Sequence, residues 1–162
     1  MSRRITFTIV FVALLALAMI GASSHLSSGD AESIIERVKA IMPTEPTPYF
    51  IFMNNERIAL VMLIPILGLI LGGFAIYNTG VIFAASGVLK GASGIDLLLN
   101  TAAYPFFWLE FLAYAAAMTQ CIYLTTGIFR KRIRSELKPT LYTIVSSAAL
   151  LLLGAWIEAA LI

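Results

Sequence analysis

The chain has 162 residues, of which 60% are hydrophobic and only 12% charged, with a formal net charge of +2. A soluble domain is nearer half apolar and a quarter charged, so the composition excludes an ordinary water-soluble fold and specifies an integral membrane protein. One cysteine, Cys121, excludes an intramolecular disulfide, and one histidine leaves no protein-only metal set of the usual spacing, so neither metal nor cofactor is expected.

A helix needs about 20 apolar residues to cross a bilayer core of about 30 Å. Ile5 to Ala22 is such a run behind Arg3-Arg4. Gly21-Ala22-Ser23-Ser24 would suit signal-peptide cleavage, but the run is read as a retained anchor helix, with residues 1–24 as its segment. Residues 25–48 follow as an extracytoplasmic segment. Within it Ala31 to Met42 forms a short amphipathic helix, with Ile34, Ile35, Val38, Ile41 and Met42 on one face and Asp30 as its cap. Pro43, Pro46 and Pro48 make a stiff link to the bundle of residues 49–162.

The second span runs from Tyr49–Arg57 to about Tyr77, kinked at Pro65 and thinned by Gly68, Gly72 and Gly73. Asn78-Thr79-Gly80 reads as a turn, with Asn78 bonding its own backbone and Gly80 supplying freedom. The third span, about Val81 to Leu99, is interrupted by polar residues and glycines and reads as a broken helix. Lys90 and Asp96 would line any hydrated cavity there, although Lys90 is better explained by snorkelling to an interface. The fourth span starts at Pro105 and ends near Phe129, and the fifth is about Leu141 to Ile162.

Basic residues collect at Arg3-Arg4 and at Arg130, Lys131, Arg132, Arg134 and Lys138, whereas Asp30 to Glu45 carries four acids against Arg37 and Lys39. Five crossings put both basic clusters in the cytoplasm and the acidic segment outside. The expectation is an all-α polytopic membrane helix bundle of about five transmembrane helices plus a short outer amphipathic helix, in the cell membrane, N-terminus cytoplasmic and C-terminus extracytoplasmic. Trp108, Trp156 and Tyr104 fit an aromatic belt near the outer surface.

Asn54, Asn55, Glu56 and Arg57 stand out as polar groups between apolar runs, and Glu110 lies at similar depth in the fourth span. Intramembrane charge is seldom left unpaired, so these five residues are expected to form a polar clamp, with Arg57 pairing Glu110. No P-loop, dinucleotide fingerprint, HExxH or nucleophile elbow occurs, so no catalytic set is assigned and nucleic acid is not an expected partner.

Phe50-Ile51-Phe52-Met53-Asn54-Asn55-Glu56-Arg57-Ile58-Ala59-Leu60, the Gly-rich span, Asn78-Thr79-Gly80 and Tyr104-Pro105-Phe106-Phe107-Trp108-Leu109-Glu110-Phe111 resemble, in that order, the pattern of the stage II sporulation protein M family. The resemblance covers roughly Phe50 to Leu124, and implies a multi-pass helical membrane protein; bacterial members of the family act in sporulation as partners of cell-wall enzymes. Members typically carry His-Gly after the proline, where this chain has Phe106-Phe107, so the role of that histidine does not transfer. The expected function is a non-catalytic membrane subunit or scaffold whose partners are the bilayer and other integral membrane subunits, or a second copy of the chain. The alternative is a small-solute or ion transporter or channel, for which Lys90 and Asp96 would line the path.

Overall fold

A computed structural model describes residues 2–43 and 45–161. Seven helices and no strands occur among them: α1 (Arg3–Ala22), α2 (Ser28–Ile41), α3 (Pro48–Met62), α4 (Leu67–Lys90), α5 (Gly94–Ala102), α6 (Pro105–Phe129) and α7 (Arg134–Leu161). Four of these, α1, α4, α6 and α7, are long and apolar enough to cross a membrane. Their apolar outer faces, such as Ile5, Phe74, Leu141 and Val145, are exposed, as lipid contact requires.

The central helix is α6, which Pro105 opens at its first turn, where the missing N–H is harmless. Its Phe107, Phe111, Tyr114, Ala115, Met118 and Cys121 are buried. Contacts along its length fix the direction of each neighbour. Arg3 and Thr6 reach Gln120 and Tyr123, while Phe11 packs on Trp108, so α1 runs against α6. Thr140 meets Gln120 and Gly154 lies by Phe106, so α7 does the same. Asn55 meets Glu110 and Ile66 meets Thr125, so α3 runs with α6. Leu17 lies by Gly73 and Gly21 by Tyr77, so α4 runs with α1. Thus α1, α4 and α7 point one way, and α3 and α6 the other.

The chain reverses between α3 and α4, not at Asn78–Gly80. Asn54, Arg57, Ile58 and Val61 share a groove with Leu71, Gly72 and Ala75, which only an antiparallel hairpin allows. Pro65 cannot continue α3. Ile66 has φ 68° and ψ −59°, and the Leu67 N–H donates to the Pro65 carbonyl at 2.8 Å, which is a γ-turn. The Ile66 N–H is taken up by Thr125 Oγ1 at 2.9 Å, and the Cys121 thiol donates to the Ile64 carbonyl. The expected kinked second span is therefore two helices with a full turn between them.

The expected turn at Asn78 and Gly80 is overturned: both lie within the 24 residues of α4. The Asn78 side-chain amide donates to the Phe74 carbonyl and Thr79 to that of Ala75, each one turn back. A β-carbon on Gly80 would collide with the Ala18 carbonyl, so this glycine serves helix contact rather than reversal. Packing against α1 overrides the local turn preference.

The expected third span dissolves into the second half of α4 and the nine residues of α5. Gly91, at φ 65°, ends α4 in the left-handed conformation that glycine favours. Gly94 then packs against Ala22 and Ala84. The Trp108 indole N–H donates to the Ala102 carbonyl at 2.8 Å, tying α5 to α6 across the break at Pro105. Helix α2 packs on α4. Its cap is Ser27, whose hydroxyl oxygen accepts from the Asp30 N–H, so Asp30 sits in the first turn and is not itself the cap.

Candidate functional site

The side chains that converge inside the bundle come from α3, α6 and α7. Asn55 is buried on the face of α3 that meets α6, and its Nδ2 donates to Glu110 Oε1 at 2.6 Å. Asn54 Nδ2 donates in turn to Asn55 Oδ1 at 3.2 Å. Glu110 lies little more than a turn into α6, beside Gly154 of α7. Glu158 follows Gly154 by four residues and so shares its face, and its carboxyl interacts electrostatically with that of Glu110. Tyr114, one turn below Glu110 and buried, feels the Glu110, Glu158 and Glu56 carboxyls. One carboxyl oxygen of Glu56 is buried with no hydrogen-bond partner.

The expected clamp is therefore half assembled. Asn55 and Glu110 join α3 to α6, and Asn54 extends the bond. Arg57 does not pair with Glu110. Residues advance about 100° each around a helix, so Arg57 lies about 200° from Asn55. It is exposed in the groove between α3 and α4 with Asn54, Ile58 and Val61, in a space of about 190 Å³. An amide, not a guanidinium, meets the Glu110 carboxyl. Glu158 and Tyr114 complete the cluster; the sequence signals for them are the place of Glu158 late in the last span, at the outer depth of Glu110, and the four-residue spacing from Glu110 to Tyr114.

Phe106 and Phe107, which stand where the resembling family has His-Gly, are spent on packing. Phe107 is buried and stacks on Phe111 with ring centroids 4.4 Å apart, and Phe106 stacks on Tyr104 at 5.8 Å. Neither Lys90 nor Asp96 lines the groove at Arg57 or the cavity beside Arg4. Lys90 ends α4 and Asp96 lies in the first turn of α5; both are exposed, where each charge complements its helix terminus. Among the described residues, no group of three or more His, Cys, Asp and Glu is arranged to hold a metal ion.

A second polar cluster, at the opposite end of α6, was not legible in the sequence. Arg3 donates to Gln120 Oε1 at 2.7 Å and pairs with Glu136, and its guanidinium lies 4.2 Å from the Tyr123 ring centroid. Gln120, only 2% exposed, also donates to Thr140 Oγ1 at 2.9 Å. The ion pair joins residues 133 positions apart, a distance over which no spacing rule operates.

No family model, no curated protein and no solved structure matches this chain.

Proposed function

We propose that the chain is a non-catalytic integral membrane subunit, an accessory component of a larger membrane complex. Arg57 carries this reading. It is exposed in the groove between α3 and α4 and pairs with no carboxylate among the described residues. The groove around it is lined by Ile58, Val61, Leu71, Gly72 and Ala75, and Val61 and Leu71 are exposed. A lone guanidinium within a span costs about 2.5–3.5 kcal/mol on insertion scales, and an acidic group on a neighbouring span offsets that cost.

Five crossings, with the N-terminus cytoplasmic and the C-terminus extracytoplasmic, accord with the alternating directions of α1, α3, α4, α6 and α7. In this topology α3 crosses despite its 15 residues, because Leu63 to Ile66 extend it to the level of Thr125. Both basic clusters then face the cytoplasm. The Asn-Asn box and the Pro105-to-Glu110 opening of α6 support kinship with the stage II sporulation protein M family.

A photo-crosslinking residue at Val61 tests the subunit reading in native membranes. It should capture a partner span that Arg57→Gln releases, while the same probe at Leu152 on α7 should not. Capture of lipid alone at both positions rejects it.

A second reading, a small-solute or ion transporter, is favoured by the Asn55, Glu110 and Glu158 cluster. Ion flux in reconstituted liposomes that Glu110→Gln abolishes would select it.

A further inference from the structure

The first turns of α1 lean on α6 and α7 at the end of the bundle that carries the basic turn before Arg134. Arg3 is fully engaged there by Gln120, Glu136 and the Tyr123 ring. Arg4 is not: among the described residues its exposed guanidinium has no hydrogen bond and no carboxylate. Between the three helices lies a cavity of about 390 Å³ whose lining includes Arg3, Arg4, Phe7, Thr8, Thr119 and Thr143.

Thr119 is the decisive residue. It is only 7% exposed, and its hydroxyl has no hydrogen-bond partner. A helical threonine usually returns its hydroxyl to the carbonyl one turn back, as Thr6, Thr8, Thr140 and Thr143 all do. A buried hydroxyl left without a bond is costly, and this one lines a cavity that both arginines share. The Glu136 carboxylate nearby is paired by Arg3, so the charge of Arg4 is uncompensated.

We propose that this cavity binds the phosphate of an anionic lipid headgroup. Arg4 supplies the charge, and the unbonded hydroxyl of Thr119 is the one free to donate to a phosphate oxygen, since Thr8 and Thr143 already donate theirs to the Arg4 and Pro139 carbonyls. Phe7 and Ala116 form an apolar wall. The neighbouring residues Arg130, Lys131 and Arg132 would draw anionic lipid to this surface without selecting the cavity. This site is independent of the groove at Arg57.

The test is native mass spectrometry of the purified full chain, released from nanodiscs containing equal phosphatidylglycerol and phosphatidylcholine. One phosphatidylglycerol should stay bound. Arg4→Gln and the isosteric Thr119→Val should each reduce its retention about tenfold, and Arg130→Gln should leave it unchanged. Arg4 is exposed, so its variant folds even if Thr119→Val does not. Equal retention of the two lipids, or equal loss in Arg130→Gln and Arg4→Gln, overturns the proposal. Displacement of the lipid by free glycerol 1-phosphate at matched concentration would make this a soluble-phosphate site and also overturn it.

Discussion

Gly21 of α1 and Gly80 of α4 interlock. A β-carbon on Gly21 would collide with the Tyr77 carbonyl oxygen, and one on Gly80 with the Ala18 carbonyl oxygen. The two backbones meet here with no side chain between them, and direct van der Waals contact of this kind is what holds helices together where no hydrophobic force separates them from lipid. Gly21→Ala and Gly80→Ala should each destabilise the protein by about 1–3 kcal/mol, the usual cost of overpacking. Gly29→Ala is the control. Nothing lies within 4 Å of a β-carbon there, and the position is in α2, so helix propensity alone should stabilise it by about 0.5–1 kcal/mol. Thermal unfolding in mild detergent reads both signs.

The bond from Asn55 to Glu110 makes its own prediction. Asn55→Leu removes the donor and leaves the Glu110 oxygen unpaired, at a cost of about 1–3 kcal/mol. Glu110→Gln keeps an acceptor for the Asn55 amide, so it should cost less than Asn55→Leu. The double variant should be far from additive, because the two residues share one bond. Arg57→Gln, exposed in its groove, should change the stability of the isolated chain by less than about 0.5 kcal/mol. Denaturant titrations of the four variants decide the matter.

The γ-turn at Ile66 stores strain. A β-branched residue at φ 68° is disfavoured, and strain of this kind costs about 1–3 kcal/mol. Ile66 is about half exposed, so Ile66→Gly loses little packing and should leave stability unchanged or raise it. Thr125→Val should lower it by about 1 kcal/mol, because the Ile66 N–H loses its acceptor. Opposite outcomes for the two variants would show that the turn is held by something other than this bond.

Gln120 joins α1, α6 and α7 through Arg3, Thr140 and Glu136. Gln120→Leu strands the groups that it bonds and should cost about 2–4 kcal/mol. Glu136→Gln keeps a hydrogen-bond acceptor for Arg3 and should cost less. Thermal shift in detergent, at low and high salt, should separate the buried amide from the more exposed ion pair, whose contribution falls with salt.

Cysteine labelling locates the chain reversal. In a Cys121→Ser background, His25→Cys and Gly91→Cys should react with a membrane-impermeant maleimide added outside right-side-out vesicles. Arg132→Cys should react only after lysis. Asn78→Cys should stay unreactive in both, because it lies inside α4. Labelling at Asn78 after lysis, as at Arg132, would restore a cytoplasmic turn there and undo the α3–α4 hairpin.

That the chain is a helical membrane bundle was readable from composition and spacing, which also placed α1 and α6 almost to the residue. Long apolar runs, flanking arginines and Pro105 act locally, so they are readable along one dimension. The sequence also singled out Asn55 and Glu110 as polar groups that need partners, because desolvation makes unpaired ones expensive. Their partners were set by how the helices pack against one another. Helix rotation turned Asn55 toward α6 and Arg57 away from it. Packing of Gly80 on Ala18 drew a straight helix through Asn78–Gly80, where local propensity favoured a turn, and the reversal moved to Pro65–Ile66, where Thr125 caps it. The network of Arg3, Gln120 and Glu136 joins three helices far apart in the chain. Contacts of that kind depend on how helices are rotated and stacked, which residue type and spacing do not encode.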